Sequence, residues 1–179
     1  MNHPICYTTL PSPIGELLLT ATSHGLSGVW ITGEKHCPDI SPAWQENPAG
    51  FAAAARQLQE YFAGTRREFD LPRDASGTAF QQQAWDALRR IPYGTTRSYQ
   101  QQAAAIGRPA AVRAIGTANG KNPLSIIVPC HRVIGANGGL TGYGGGLPAK
   151  QWLLQHESRV AAGQPLGPLP PPSSLKPGS

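Results

Sequence analysis

Ser98-Tyr99-Gln100-Gln101-Gln102-Ala103-Ala104-Ala105-Ile106-Gly107-Arg108-Pro109-Ala110-Ala111-Val112-Arg113-Ala114-Ile115-Gly116-Thr117-Ala118-Asn119 is the stretch whose reading decides the fold. Ser98 is a good N-cap, because its hydroxyl can accept from the free N–H groups of a first helical turn. The spacing predicts a short helix from Tyr99 to Ile106, stopped by Gly107. A second helix is predicted over Ala110 to Asn119, with Pro109 suited to its first turn. Two short helices around a glycine-containing turn make a helix-turn-helix pattern, in which the second helix meets DNA.

The faces of that second helix say how it would do so. Val112, Ile115, Ala111 and Ala118 are expected to pack inward. The outer side carries Ala110, Arg113, Ala114 and Thr117, with Gly116 and Gly120 close by. Helices that read major-groove edges usually display Arg, Lys, Asn or Gln. A face of small residues with one long cation suits close backbone approach and one inserted side chain, as minor-groove binders use. An ordinary phosphate contact is the other role open to Arg113.

Charge supports a polyanion partner for this half of the chain. Residues 1–76 hold 5 Lys+Arg against 8 Asp+Glu, a formal −3. Residues 77–159 hold 9 against 2, a formal +7, and Lys176 brings the total to +5. A basic half joined to a mildly acidic half points to nucleic acid.

Outward from the helix pair, Thr78 can cap a helix running to Leu88 or Ile91, closed by Pro92-Tyr93-Gly94. Residues 148–158 read as a last helix. The first half is strand-rich: a hairpin of Tyr7–Leu10 and Glu16–Ala21 around Pro11–Gly15, then Leu26–Ile31. Lys35–Gly50 reads as loop, Phe51–Phe62 as a helix ended by Gly64, and Glu68–Leu71 as one further strand. The expected class is α+β: an N-terminal α/β domain (1–73) with a small antiparallel sheet, a linker (74–77) and a mostly helical, winged-helix-like domain (78–160). Residues 161–179, rich in Pro, Gly and Ser, are expected to be disordered. No run is long enough to span a bilayer and the N-terminus lacks a signal-peptide pattern. With three unpaired-looking cysteines, Cys6, Cys37 and Cys130, this predicts a cytoplasmic protein without disulfides.

One stretch looks chemically active: Ile126-Ile127-Val128-Pro129-Cys130-His131-Arg132-Val133-Ile134. The β-branched runs read as strand or strand-like core, broken by Pro129. Basic neighbours lower a cysteine's pKa and raise its thiolate fraction. Adjacent residues of an extended strand point to opposite faces. Cys130 and His131 therefore cooperate only if the chain turns here or a water links them. A small buried hydrophobe beside a histidine is the alternative.

Several motifs together resemble the O6-alkylguanine-DNA alkyltransferases. They are Thr9-Leu10-Pro11-Ser12-Pro13-Ile14-Gly15-Glu16-Leu17, Ser98-Tyr99-Gln100-Gln101, Ala111-Val112-Arg113-Ala114, and Asn122-Pro123 with Ile127-Val128-Pro129-Cys130-His131-Arg132-Val133. Tyr143-Gly144-Gly145-Gly146-Leu147 and Trp152-Leu153-Leu154-Gln155-His156-Glu157 complete the order. The resemblance implies direct-reversal repair. An alkyl group passes once and irreversibly from O6 of guanine in double-stranded DNA to the sulfur of Cys130, with O4 of thymine a further candidate site. It implies His131 as a water-linked base, Glu157 as its orienter, Asn122 steadying the turn and Tyr99 donating to the leaving guanine. Arg113 would replace the flipped base, with Ala110, Ala114, Thr117, Gly116, Gly120, Lys121, Arg97 and Tyr99 against DNA. Pro129, Val133, Tyr143, Gly144 and Gly145 would shape the pocket. Gly144 stands where several relatives carry serine.

No cofactor is implied. Some relatives hold an N-terminal zinc, but Thr22 and Ser27 stand where Cys and His would be needed, so no metal is expected. The implied state is a monomer, with cooperative binding on DNA left open and no membrane partner. An alkylation- or oxidation-sensing regulator would need base-reading side chains that the Ala110–Asn119 face does not offer. A cysteine hydrolase would leave the basic half unexplained.

Overall fold

A computed structural model describes residues 4–140 and 142–166. The hairpin forms as its sequence suggests: β1 (Cys6–Leu10) pairs antiparallel with β2 (Leu17–Thr22), Cys6 opposite Ala21 and Leu10 opposite Leu17. Gly15 turns the chain at a φ of 116°, a conformation that side chains rarely adopt. β3 (Gly25–Ile31) adds antiparallel to β2, and a two-residue β4 (Gln45–Glu46) adds parallel to β1. The sheet, in order β3-β2-β1-β4, is thus mixed rather than wholly antiparallel. The expected loop over 35–50 contains that short strand and the start of a 3-10 turn, Pro48–Phe51. α1 (Ala52–Phe62) buries Leu58, Tyr61 and Phe62 in the core that also takes in Leu17, Leu19 and Val29 of the sheet.

The strand expected at Glu68–Leu71 does not form. The buried Gln57 side chain donates to the Asp70 carbonyl at 3.0 Å and accepts from its N–H at 2.9 Å. Those backbone groups are satisfied without a ladder. Pro72 has no N–H to give; its carbonyl accepts from Leu26 N, and only Arg73 bridges to Leu26.

In the second half, α2 (Ala79–Arg89) and α3 (Tyr99–Ala105) each begin with a capping box, Thr78 with Gln81 and Ser98 with Gln101. α4 (Val112–Gly120) starts two residues later than the sequence suggested. Residues 108–111 form a turn closed by Ala111 N donating to Arg108 O, so Pro109 precedes the first helical turn. α3 and α4 are locked by a reciprocal amide pair. Gln102 Nε2 donates to Asn119 Oδ1 at 2.9 Å, and Asn119 Nδ2 returns to Gln102 Oε1 at 2.7 Å, both side chains buried. Trp85 of α2 donates to the Ala118 carbonyl, tying the third helix in. The two-residue strands β5 (Arg97–Ser98) and β6 (Val133–Ile134) pair in parallel. α5 (Leu147–Ala161) closes the unit, running past the expected end at Ser158. Leu166 reaches back to Gly64; the rest of the expected disordered tail, from residue 167, lies outside the described residues.

The two halves meet at the segment before Cys130. Val29 of β3 donates to Pro123 O at 2.7 Å and accepts from Ser125 N at 3.1 Å. Ile126–Val128 is a chain of buried turns instead of the expected strand, closed by Ile127 N to Ser125 O and Val128 N to Leu124 O. Ile126 sits at a φ of 73°, an uncommon conformation for a β-branched residue. Such local strain persists only where surrounding contacts hold it. Here the sheet edge and the core hold it.

Candidate active site

Cys130, His131 and Arg132 form one turn of 3-10 helix, with Pro129 as its N-cap. Side chains on such a turn step around the axis by about a third of a circle, so the alternation of a strand does not apply. His131 points into the protein and is fully buried; its Nε2–H donates to Glu157 Oε2 at 2.7 Å. That bond sets the tautomer, leaving Nδ1 with the lone pair. Nδ1 is buried and has no hydrogen-bond partner among the described residues.

Glu157 is held from four sides. Tyr61 Oη donates to Oε2 at 2.6 Å, Arg132 Nε to Oε1 at 2.7 Å and Arg132 Nη2 to Oε2 at 3.0 Å, in addition to His131. Gly94 N approaches Oε1 at 3.4 Å, from a residue at a φ of 75° where an added Cβ would lie 2.8 Å from the Ala161 side chain. Burial alone would raise the carboxyl pKa, but His131 and Arg132 outweigh it and hold Glu157 well below the usual carboxylate range. Arg132 Nη1 also donates to the Ile91 carbonyl at 2.8 Å, and its guanidinium lies 5.4 Å from the Tyr93 ring centre.

The expectation that Arg132 activates its neighbour is therefore corrected. Its charge is engaged with Glu157, and burial pushes the Cys130 thiol above its ordinary pKa. Asn122 and Lys150 act in the opposite direction. Asn122 fixes the turn: Nδ2 donates to Val128 O at 2.9 Å and Oδ1 accepts from Leu124 N at 3.0 Å. Lys150, fully buried on α5, donates to Val133 O at 2.6 Å. Burial brings its pKa down to about 8, with the Cys130 charge pulling it back up. Composition and spacing gave no sign of this ammonium; only the fold of α5 over the 3-10 turn reveals it. Tyr61 was missed for the same reason, lying 96 residues from the carboxylate it binds.

The α4 face that the sequence assigns to DNA borders a cleft. This cleft, of about 560 Å³, is lined on one side by Tyr99, Arg113, Gly116, Thr117, Gly120 and Lys121. Tyr143 and Gly144 face them, with Lys35 and His36 from the loop after β3, neither of which the sequence pointed to as facing DNA. Ala110 and Ala114 are exposed and line a shallower groove beside Arg113. Gly116 lies 3.9 Å from the Tyr99 ring by the position a Cβ would take, so α4 approaches Tyr99 closely. Arg97 is exposed on β5 and Lys121 is exposed at the end of α4. Gly145 has no room for a side chain, since a Cβ there would lie 2.5 Å from Ile31 and 2.8 Å from the Tyr143 ring. Pro129, Val133 and Cys130 are buried and do not line the cleft. Burial, and then the charge of Cys130, raise the Tyr143 phenol well above its ordinary pKa. No group of three or more His, Cys, Asp or Glu side chains among the described residues is arranged to hold a metal.

A helix-turn-helix unit carrying a basic cleft, in the same half of the chain as a buried thiol that adjoins a His131–Glu157 pair, defines a DNA-directed protein with a reactive cysteine. Residues 79–159 match the model of the 6-O-methylguanine DNA methyltransferase DNA-binding domain, and residues 5–75 match that of the family's ribonuclease-like domain. The methylated-DNA–protein-cysteine methyltransferase of Mycolicibacterium paratuberculosis is 52% identical over 153 residues, covering 86% of this chain and 92% of that protein. The constitutive one of Bacillus subtilis is 47% identical over 164 residues, covering 90% and 98%. Among solved structures, Mycobacterium tuberculosis OGT in complex with DNA aligns with a TM-score of 0.81 at 48% identity, covering 87% of this chain and 94% of that one. The chain belongs to the 6-O-methylguanine DNA methyltransferase family.

Proposed function

We propose that this chain repairs O6-alkylguanine in duplex DNA by direct reversal, with Cys130 as the alkyl acceptor. The observation that carries the assignment is the His131–Glu157 pair. It fixes Nε2 as donor and leaves Nδ1 as a base, next in sequence to a buried thiol. The thiol proton passes to Nδ1 through a water, the relay that the absence of a direct Cys130–His131 bond calls for. The imidazolium so formed is neutralised by Glu157. The buried Lys150 ammonium, whose charge favours the thiolate, adds to its stabilisation.

The thiolate then attacks the alkyl carbon. The S–C bond forms as the C–O6 bond breaks, and the electron pair passes into the guanine ring. Tyr99, on the cleft wall, donates the proton that makes guanine a neutral leaving group. The sulfur ends as a thioether, which offers no carbonyl for water to attack, so each molecule acts once. A thiolate cannot reach the alkyl carbon inside the base stack, so the nucleotide must be extruded. Arg113 fills the space it leaves, and the small face of Ala110, Ala114 and Thr117 admits α4 to the minor groove. Arg97 and Lys121 contact phosphates, so affinity falls with salt. The protein acts as a monomer.

Incubating a known amount of protein with excess duplex carrying O6-methylguanine tests this. Repair should plateau at one guanine restored per protein molecule. Continued turnover, or binding without repair, would overturn the assignment.

A further inference from the structure

A second cleft, of about 420 Å³, lies behind the active-site turn. Its wall carries Arg67 and Arg73 from the segment joining the two halves, and Arg89 and Arg90 from the end of α2. All four are exposed. Its floor includes Pro129 and Arg132, the reverse side of the turn that presents Cys130. None of its lining residues lines the cleft at α4.

The charges here are poorly compensated. Arg132 is neutralised by Glu157, and Arg89 is paired with Asp86 at 3.5 Å. Arg67 lies over the Tyr93 ring at 5.3 Å and approaches the Val160 carbonyl at 3.4 Å. Neither Arg73 nor Arg90 is ion-paired among the described residues, and residues 1–3, 141 and 167–179 contain no Asp or Glu. Glu68 is the single carboxylate on the wall. Partial burial and then the charge of Arg89 lower the pKa of Arg73, against a smaller opposing pull from Asp86. Like charges gathered in a concave site repel one another unless an anion joins them, and arginine forks match phosphate oxygens in pairs.

We propose that this rear cleft binds the phosphodiester backbone of a second DNA segment while the first is held at α4. The two sites share no residue: the rear cleft lies at Arg89–Ile91, at the end of α2, whereas no α2 residue lines the cleft at α4. A protein that holds two segments can pass from one to another without first dissociating. For a protein consumed by each repair event, that shortens the search for a rare lesion.

The inference rests on the DNA-binding reading, and repair of a separate duplex carrying O6-methylguanine is followed in parallel to check that reading independently. Protein bound to a fluorescent lesion-free duplex is chased with rising concentrations of unlabelled duplex at constant ionic strength. In the wild type the dissociation rate should rise with chase concentration. In an Arg73→Gln, Arg90→Gln variant it should be flat, with the rate of repair on saturating lesion duplex unchanged. A flat wild-type response overturns the proposal, as does an equal rise in wild type and variant. A parallel chase with inorganic phosphate at the same ionic strength identifies a small-anion site: if phosphate accelerates release as well as duplex does, the DNA assignment fails.

Discussion

Replacing Glu157 with Gln would remove the one carboxylate that Tyr61, His131 and Arg132 share in the interior. An amide keeps the shape and can accept one or two of the bonds at 2.6–3.0 Å, but not all of them. It cannot neutralise Arg132, whose side chain is 8% exposed. Removing one partner of a buried ion pair typically costs about 3–5 kcal/mol, because the other charge is left uncompensated. Part of the amide also presents N–H groups to donors, which adds to the cost. We expect a loss within that range in urea denaturation followed by tryptophan fluorescence, with an unchanged m-value. The repair rate of the folded variant should fall by about 10²–10⁴, the usual contribution of a positioned base. The wild type should show the matching pH dependence. The folded-state pKa of Glu157 is depressed, so its stabilisation is complete above the unfolded carboxylate pKa of about 4.3 and is lost as pH falls below it. The variant should lack that acid-side loss. A stability change under about 0.5 kcal/mol, the range of a surface substitution, together with an undiminished repair rate, would refute the reasoning.

Lys150→Met should slow repair at neutral pH and shift the rate profile toward alkaline pH, since the thiolate loses its buried cation. Because the folded-state pKa of Lys150 lies near 8 against 10.5 for an ordinary lysine, wild-type stability should gain from Lys150 as pH rises above about 8. Denaturation in that window should show the gain in the wild type and not in the variant. Arg113→Ala should lose repair of duplex lesions while keeping alkyl transfer from a free O6-alkylguanine base, as measured by protein mass. Asn119→Ala leaves the Gln102 amide short of a buried partner and should cost about 1–3 kcal/mol in chemical denaturation. A loss no larger than that of an exposed Ala114→Gly control would contradict the role given to the pair.

The local signals in the sequence were strong where the physics is local. Capping boxes at Thr78 and Ser98, the hairpin around Gly15 and the stop at Gly64 all depend on residues within a few positions of each other. The site was legible in a different way. Cys130 and His131 stand out by their chemistry, whereas Asn122, Tyr99 and Glu157 entered through the family resemblance. What escaped was set by convergence of distant segments. Ile126–Val128 has the composition of a strand, yet the sheet edge at Val29 pairs with Pro123 and Ser125 just before it, and the chain turns away there with a positive φ at Ile126. Arg132 adjoins Cys130 in sequence but turns to Glu157, and Lys150, remote in sequence, supplies the buried cation instead. Gln57 satisfies Asp70 from the helix above, so a charged, strand-like segment never needs a strand partner.

The central claim is that Cys130 is consumed in the reaction. Digesting the protein after exposure to duplex O6-methylguanine and mapping the products by tandem mass spectrometry tests it directly. The account predicts one methyl group, on the Cys130 peptide, in proportion to guanine restored, with Cys6 and Cys37 unmodified. Methylation elsewhere, or restored guanine with Cys130 still a free thiol, would contradict it.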